Sequence, residues 1–120
     1  MQIEYLSEYN KDYKKLLKKY RTLESDMSDV IKILKVRPNA QPPLSFEIAG
    51  LGIKTCVVKV KKIASDSFKG RGVNSGLRLI YAHFPDEQKI TFIELYHKND
   101  KENEDRERII LNFKWWILNW

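Results

Sequence analysis

Apolar residues recur at alternating intervals of three and four along the first third of the chain. They are Leu6, Tyr9, Tyr13, Leu16, Tyr20, Leu23, Met27, Val30 and Leu34. This spacing is one face of a helix, formed either by one long helix with a coiled-coil seam or by two helices folded back as a hairpin. We favour the hairpin, because a helix of about 30 residues is unusual in a small domain. Thr22 or Ser25 offers a second N-cap, and Arg37-Pro38 should end the helical region.

The pattern changes after the helices. Residues 38–52 hold three of the four prolines and two of the five glycines, which is typical of a loop. Residues 53–62, IKTCVVKVKK, are rich in β-branched side chains and predict a strand. A period of two puts Val57, Lys59 and Lys61 on one face and Val58, Val60 and Lys62 on the other. Residues 65–76, SDSFKGRGVNSG, predict a second loop.

Residues 76–98, GLRLIYAHFPDEQKITFIELYHK, predict a β-hairpin. Two runs of alternating β-branched and aromatic residues flank the polar break at residues 85–89. Polar side chains collect at the end opposite the turn: Arg78, Tyr96, His97 and Lys98.

The register of this hairpin decides which side chains meet. If Phe84 pairs with Ile90, Arg78 lies opposite Tyr96 on the same face of the sheet. A shift of one residue would place Arg78 opposite Leu95 instead.

The final segment predicts a helix. Asn99 or Asp100 would be its N-cap, and the acidic run that follows suits the positive end of the helix dipole without requiring a metal. Its apolar stripe consists of Ile109, Phe113, Trp116, Ile117 and Trp120. Helices, then strands, then a helix, without βαβ alternation, predict an α+β fold with a small antiparallel β-sheet, an N-terminal helical hairpin and a C-terminal helix.

Composition narrows the class of protein. A length of 120 residues fits a single domain, residues 1–120. The net charge of +6 favours an acidic partner, which could be nucleic acid, an anionic membrane or an acidic protein. Cys56 is the only cysteine, so an internal disulfide is excluded. With no long apolar run and no signal-like N-terminus, we expect a cytoplasmic protein and no membrane partner.

The basic residues of the strands suggest a phosphate site. Its candidate ligands are Lys59, Lys61, Arg78 and Lys98. His97 has a side chain suited to proton transfer near neutral pH, and Tyr96 could stack on a base. The alternative is that the lysines protect strand edges and that the histidine is structural. No Walker loop, HExxH, GxSxG or CxxC motif points to other chemistry.

The segments VKVKKIASDSFKGRGVNSGLRLIYAHF and KITFIELYHK resemble the RelE/ParE superfamily of bacterial type II toxins. The resemblance covers residues 5–110, its most specific element is SGLRLIY, and it is closest to a RelE-like or HigB-like branch. It implies a compact sheet with an N-terminal helical hairpin and, usually, a ribosome-dependent mRNA endonuclease. In such toxins the 2′-hydroxyl attacks the adjacent phosphate without a metal or other cofactor.

The resemblance also implies roles for single residues. Lys59 and Lys61 match the strand lysines of the family, and Arg78 matches the arginine of its GYR motif. Lys98 falls where RelE-type members have a catalytic arginine. The resulting catalytic candidates are His97, Arg78, Lys98 and Lys61, and the RNA-binding candidates are Lys59, Lys61, Arg71 and Tyr96. RelE has a tyrosine at the position of Glu104, so His97 or Tyr96 would have to take over its proton transfer. Glu104 is a third candidate for the base, which we rank below His97 because the helix dipole should hold it ionised.

The resemblance implies partners and leaves alternatives open. The partners would be a cognate antitoxin, the ribosome and mRNA, and the toxin–antitoxin complex would bind operator DNA through the antitoxin. One alternative is a ParE-like toxin that inhibits DNA gyrase without cleavage, and another is a degenerate member that only binds. The tryptophans of residues 115–120 are either core cover or a docking surface for the antitoxin.

Overall fold

The computed structural model describes residues 1–114, which form three helices and five strands. In chain order these are β1 (Gln2–Tyr5), α1 (Ser7–Leu17), α2 (Leu23–Val36), β2 (Ser45–Glu47), β3 (Cys56–Val60), β4 (Leu77–Phe84), β5 (Lys89–His97) and α3 (Arg106–Phe113). The strands form one sheet in the order β1-β5-β4-β3-β2. Strand β1 is parallel to β5, and every other neighbouring pair is antiparallel. The α+β fold is therefore confirmed, but the sheet is mixed rather than wholly antiparallel.

The N-terminal helices form the hairpin that the apolar stripe favoured. α1 and α2 are separate helices, with Thr22 at the N-cap position of α2 and Arg37 at its C-cap. The Thr22 hydroxyl donates to the carboxylate of Asp26 at 2.8 Å and caps no backbone N–H group. Pro38 ends the helix as predicted, because the residue before a proline avoids the helical conformation.

The sheet has an apolar core on each face. On one face, α1 and α2 pack on a core that includes Leu16, Leu23, Met27, Leu79, Tyr81 and Phe92. On the other, α3 packs on a smaller core that includes Val57, Ile80, Ala82, Ile93, Ile109 and Phe113. Burial on both faces explains why β4 and β5 read as nearly continuous apolar runs.

A β-bulge sets the register of the β4–β5 hairpin. Phe84 pairs with Lys89, so the expected pairing with Ile90 is wrong. The register shifts by one residue at Ile80 and Tyr81, and beyond this point Arg78 lies opposite Tyr96. The bulge therefore produces the Arg78–Tyr96 pair, and the alternation of residues along the strands could not predict it.

Two of the five strands were not expected from the sequence. β1 has only four residues, and β2 has three and lies in the proline-rich segment that predicted a loop. Both lie at sheet edges, and each is held by one longer neighbour. Such short strands owe their conformation to pairing more than to local propensity.

The C-terminal helix begins later than predicted. Its N-cap is Asp105, whose carboxylate accepts from the Arg108 N–H at 3.0 Å, so the assignment of Asn99 or Asp100 as the cap is wrong. Ile109 and Phe113 are buried as the stripe predicts. The predicted core or docking role of the tryptophans lies outside the described residues. No helix within residues 1–114 is long and apolar enough to span a membrane.

Candidate phosphate site

Strands β4 and β5 and the residue after β3 bring three polar residues together on the face that α3 covers in part. Arg78 lies opposite Tyr96 in the β4–β5 register. On its other side, its Nη1 donates to the carbonyl oxygen of Lys61 at 2.9 Å and to that of Leu77 at 3.4 Å. We call Lys61, Arg78 and Tyr96 the polar row. The sheet thus unites three residues that are far apart in the sequence.

A buried ion pair lies beside the polar row. Lys59 Nζ is 2.9 Å from Glu104 Oε1, and the two side chains are only 12% and 10% exposed. Burial is the largest single effect and acts to lower the pKa of Lys59, but its interactions with Glu104 and Tyr96 together outweigh burial, and the pKa is raised. Burial likewise acts to raise the pKa of Glu104, while Lys59 and then Arg106 lower it overall. Glu104 is therefore a weakly basic carboxylate at neutral pH, which argues against it as the general base.

Tyr96 lies between two ammonium groups. Its ring centroid is 6.0 Å from Lys59 Nζ and 5.3 Å from Lys101 Nζ, and Lys101 also pairs with the buried Glu94. Burial raises the pKa of the phenol, and Lys59 opposes that shift. The residue is 5% exposed, and its hydroxyl has no hydrogen-bond partner in the part of the chain that the structure describes.

His97 lies on the opposite face of the sheet from the polar row. Its ring stacks on Phe68 at 5.1 Å and lies 5.8 Å from the ring of Tyr20. Nδ1 accepts from the backbone N–H of Asn99 at 3.1 Å, so Nε2 carries the proton and donates to the carbonyl oxygen of Ser75 at 2.9 Å. Alternation along β5 separates it from Tyr96, and this buried, fully hydrogen-bonded ring fits a structural role.

The remaining predicted cations are exposed. Lys61 and Lys98 lie just beyond the ends of β3 and β5, and the Lys98 backbone N–H donates to the carbonyl oxygen of Gly76 at 2.9 Å. Arg71 lies in the loop between β3 and β4, away from the polar row. Within residues 1–114, none of these side chains nor Arg78 forms a salt bridge with a carboxylate.

Three residues near the polar row were missed as functional candidates. Phe46 lies on β2, the strand that the sequence predicted as loop. Lys101 belongs to the acidic run assigned to the start of a helix. Its partner Glu94 lies in the predicted β-hairpin and was given no role. The one signal for Glu94 was a carboxylate within an otherwise apolar run, ITFIELY.

No group of three His, Cys, Asp or Glu side chains that could hold a metal ion occurs among the described residues. Comparison of the sequence with models of known protein families found no match, and comparison with functionally curated proteins also found none. The residues of the site offer exposed cations and hydrogen-bond donors suited to a phosphate.

Proposed function

We propose that the protein is a toxin of the RelE/ParE type that cleaves mRNA on the ribosome and is neutralised by an antitoxin. The proposal places its action in the cytoplasm, where translation occurs. The helical hairpin packed on a sheet is the architecture that the resemblance implies, and it supports the proposal.

One observation carries the proposal: the setting of Arg78. A single guanidinium nitrogen, Nη1, is tied to backbone carbonyl oxygens, and this bond fixes the plane of the group. The other N–H groups make no hydrogen bond to residues 1–114, and no carboxylate within these residues forms a salt bridge with Arg78. A guanidinium held in this way is preorganised for two oxygens of a phosphate.

Lys61 and Lys98 extend the positive charge around Arg78. Both are exposed and lack a carboxylate partner within residues 1–114. In the proposed reaction the 2′-hydroxyl attacks the neighbouring phosphorus and the 5′-oxygen leaves, so negative charge grows on the non-bridging oxygens. Arg78, Lys61 and Lys98 offset that charge, which is the main term in reactions of this kind.

The proton-transfer residue is the open part of the mechanism. The sequence analysis predicted His97 for this role. Both of its ring nitrogens form hydrogen bonds with backbone groups on the other face of the sheet. Tyr96 adjoins Arg78, but its raised pKa keeps it protonated, which suits a proton donor more than a base. We therefore assign binding and charge stabilisation to Lys61, Arg78 and Lys98 and leave His97 as a prediction to be tested.

The experiment is mRNA cleavage on translating ribosomes, mapped by primer extension. We expect wild-type protein to cut within A-site codons, and Arg78→Ala to lose activity by about 10²- to 10³-fold, as when one charge-stabilising group is removed. Arg78→Lys, which keeps the charge but loses the fork of donors, should fall between them. His97→Gln should retain cleavage if the ring is structural. A folded but inactive His97→Gln would assign the proton transfer to His97.

A ParE-like inhibitor of DNA gyrase is the second candidate. It is favoured by Glu104, which occupies the position of the RelE tyrosine and is held ionised by Lys59. Failure of folded protein to cleave mRNA on ribosomes, together with inhibition of gyrase supercoiling, would select this candidate.

A further inference from the structure

Phe46 is a large apolar side chain that contributes to neither core. Its ring is 40% exposed, and it belongs to neither of the apolar clusters formed by the described residues. An exposed aromatic ring forgoes the stabilisation that burial of its apolar surface would give. Its position, rather than its exposure alone, indicates a use.

Phe46 lies at the end of the polar row. It pairs with Lys59 in the β2–β3 register, and Lys61 Nζ is 5.5 Å from its ring centroid. The Lys61 carbonyl oxygen in turn holds Arg78. Phe46 pairs with Lys59, which pairs with Ile80, and Arg78 lies two residues away from Ile80 along β4. With neighbouring strands about 4.8 Å apart and a rise of about 3.4 Å per residue, the backbones of Phe46 and Arg78 are separated by about 12 Å. An aromatic ring, an ammonium and a guanidinium thus follow one another across three strands.

The backbone around Phe46 is fixed by hydrogen bonds. The carbonyl oxygen of Leu44 accepts from the Lys61 N–H at 3.0 Å and from the Lys62 N–H at 3.2 Å. On the same segment, Ser45 Oγ accepts from the Gln41 N–H at 2.7 Å. The ring is therefore presented from an ordered strand, which lowers the entropy cost of binding a ligand on it.

We propose that Phe46 is a stacking platform for a nucleobase of the RNA strand whose phosphate binds at Lys61 and Arg78. This inference rests on the proposed function and adds a base-binding subsite to it. A nucleotide supplies both groups that the surface can receive, because Lys61 can turn from the ring to the phosphate while the base covers the ring. Every base has an aromatic face, so such a platform contributes affinity with little sequence preference.

The test is a double-mutant cycle in which the Phe46 side chain and one base of the mRNA are removed separately and together. The probe is a ribosome programmed with an mRNA whose A-site codon carries 2′-O-methyl groups and cannot be cut. Binding of labelled protein is measured with this probe and with versions that are abasic at one A-site nucleotide at a time. The variants are Phe46→Leu, which keeps an apolar strand residue, and Phe46→Trp, which keeps the stacking face. Val36→Ala, at a 79% exposed position on α2, is the control.

We expect Phe46→Leu to weaken binding by about 5- to 150-fold, the range for one stacked base. Phe46→Trp and Val36→Ala should bind as the wild type does. One abasic position should weaken the wild type to a similar extent and should have no further effect on Phe46→Leu.

The failure of this inference differs from failure of the proposed function. If Arg78→Ala weakens binding but Phe46→Leu does not, the platform is refuted while the phosphate site stands. Equal and independent losses from Phe46→Leu and from every abasic position would also refute it, because the ring would then contact something other than a base. If wild-type protein does not bind the programmed ribosome, or if Arg78→Ala binds normally, both proposals fall.

Discussion

The Lys59–Glu104 ion pair should couple the stability of the loop after β5 to that of the sheet. At the effective dielectric constant of about 20 near a protein surface, two unit charges 2.9 Å apart attract each other by about 6 kcal/mol. Desolvation of two side chains that are about nine-tenths buried cancels much of this attraction. We expect a coupling free energy of about 1–3 kcal/mol in a double-mutant cycle.

Each single substitution should destabilise the protein, because it leaves one charge of the pair without its partner. Glu104→Leu leaves the Lys59 ammonium buried without its partner, and Lys59→Met leaves the carboxylate in the same state. Each should lower the free energy of unfolding by about 1–2 kcal/mol, less than for a pair with no solvent access. The double variant, which replaces the pair by two apolar side chains, should lie within about 1 kcal/mol of the wild type.

The contribution of Glu104 should also depend on pH. Its pKa in the folded protein lies below the ordinary value of 4.5. Folding is therefore favoured by its ionisation, a contribution that is fully present above pH 4.5 and is lost as the pH falls through the folded pKa. The difference in stability between wild type and Glu104→Gln should shrink over that acidic window.

The assay is urea unfolding followed by circular dichroism, at pH 7 and at a series of lower pH values. The matched control is Glu4→Gln, which breaks the exposed pair of Glu4 and Lys89 at 3.6 Å and should change stability by less than about 0.5 kcal/mol. A coupling free energy near zero for Lys59 and Glu104, or a double variant as unstable as the worse single variant, would refute the reasoning.

Three further predictions concern the framework of the site. Asp12 accepts from the Leu95 N–H at 3.1 Å and from Arg108 Nη1 at 2.7 Å, so Asp12→Ala removes the acceptor of both donors and should lower the free energy of unfolding by about 2–3 kcal/mol, measured by urea unfolding. Gly76→Ala should cost about 2–4 kcal/mol in the same assay, because φ is +92° and the new Cβ would lie 2.6 Å from His97 Nε2. Asp26 accepts from a threonine hydroxyl at 2.8 Å and from a serine hydroxyl of the β3–β4 loop at 2.5 Å, so Asp26→Ala should release this loop and speed its cleavage by trypsin.

Conservative variants serve as controls for these predictions. Asp12→Asn keeps an acceptor for the Leu95 N–H and should lose less stability than Asp12→Ala. Gly76→Ala should cost less in a His97→Ala background than in the wild type, because the clash with the imidazole is gone while the strained backbone remains. Tryptic cleavage of Asp26→Ala at the wild-type rate would show that the loop is held by other contacts.

The fold could be predicted where its determinants are local. The helical hairpin follows from apolar spacing that 3.6 residues per turn brings to one face, and Pro38 ends α2 for a steric reason contained in the sequence. The edge strands were missed, because β1 and β2 are too short to show an alternating pattern. The start of α3 was misplaced since the acidic run contains several good caps, and tertiary contacts selected Asp105.

The candidate site divides in the same way. Strand alternation put Lys59 and Lys61 on one face of their strand, and the residue types of Lys59, Lys61, Arg78 and Lys98 indicated a phosphate site. The pairing of Lys59 with Glu104 was not visible, because 45 positions separate the two residues and the contact depends on the loop after β5.

The sequence by itself determined the helical hairpin, the β4–β5 hairpin and the net charge of +6. These follow from periodicities and residue types that act within a few residues. Only the tertiary structure decided that Arg78 meets Tyr96 through a bulge, that His97 is turned to the other face, and that Phe46 stands beside Lys61. Each depends on the register between strands, which changes which residues face one another when the chain shifts by a single position.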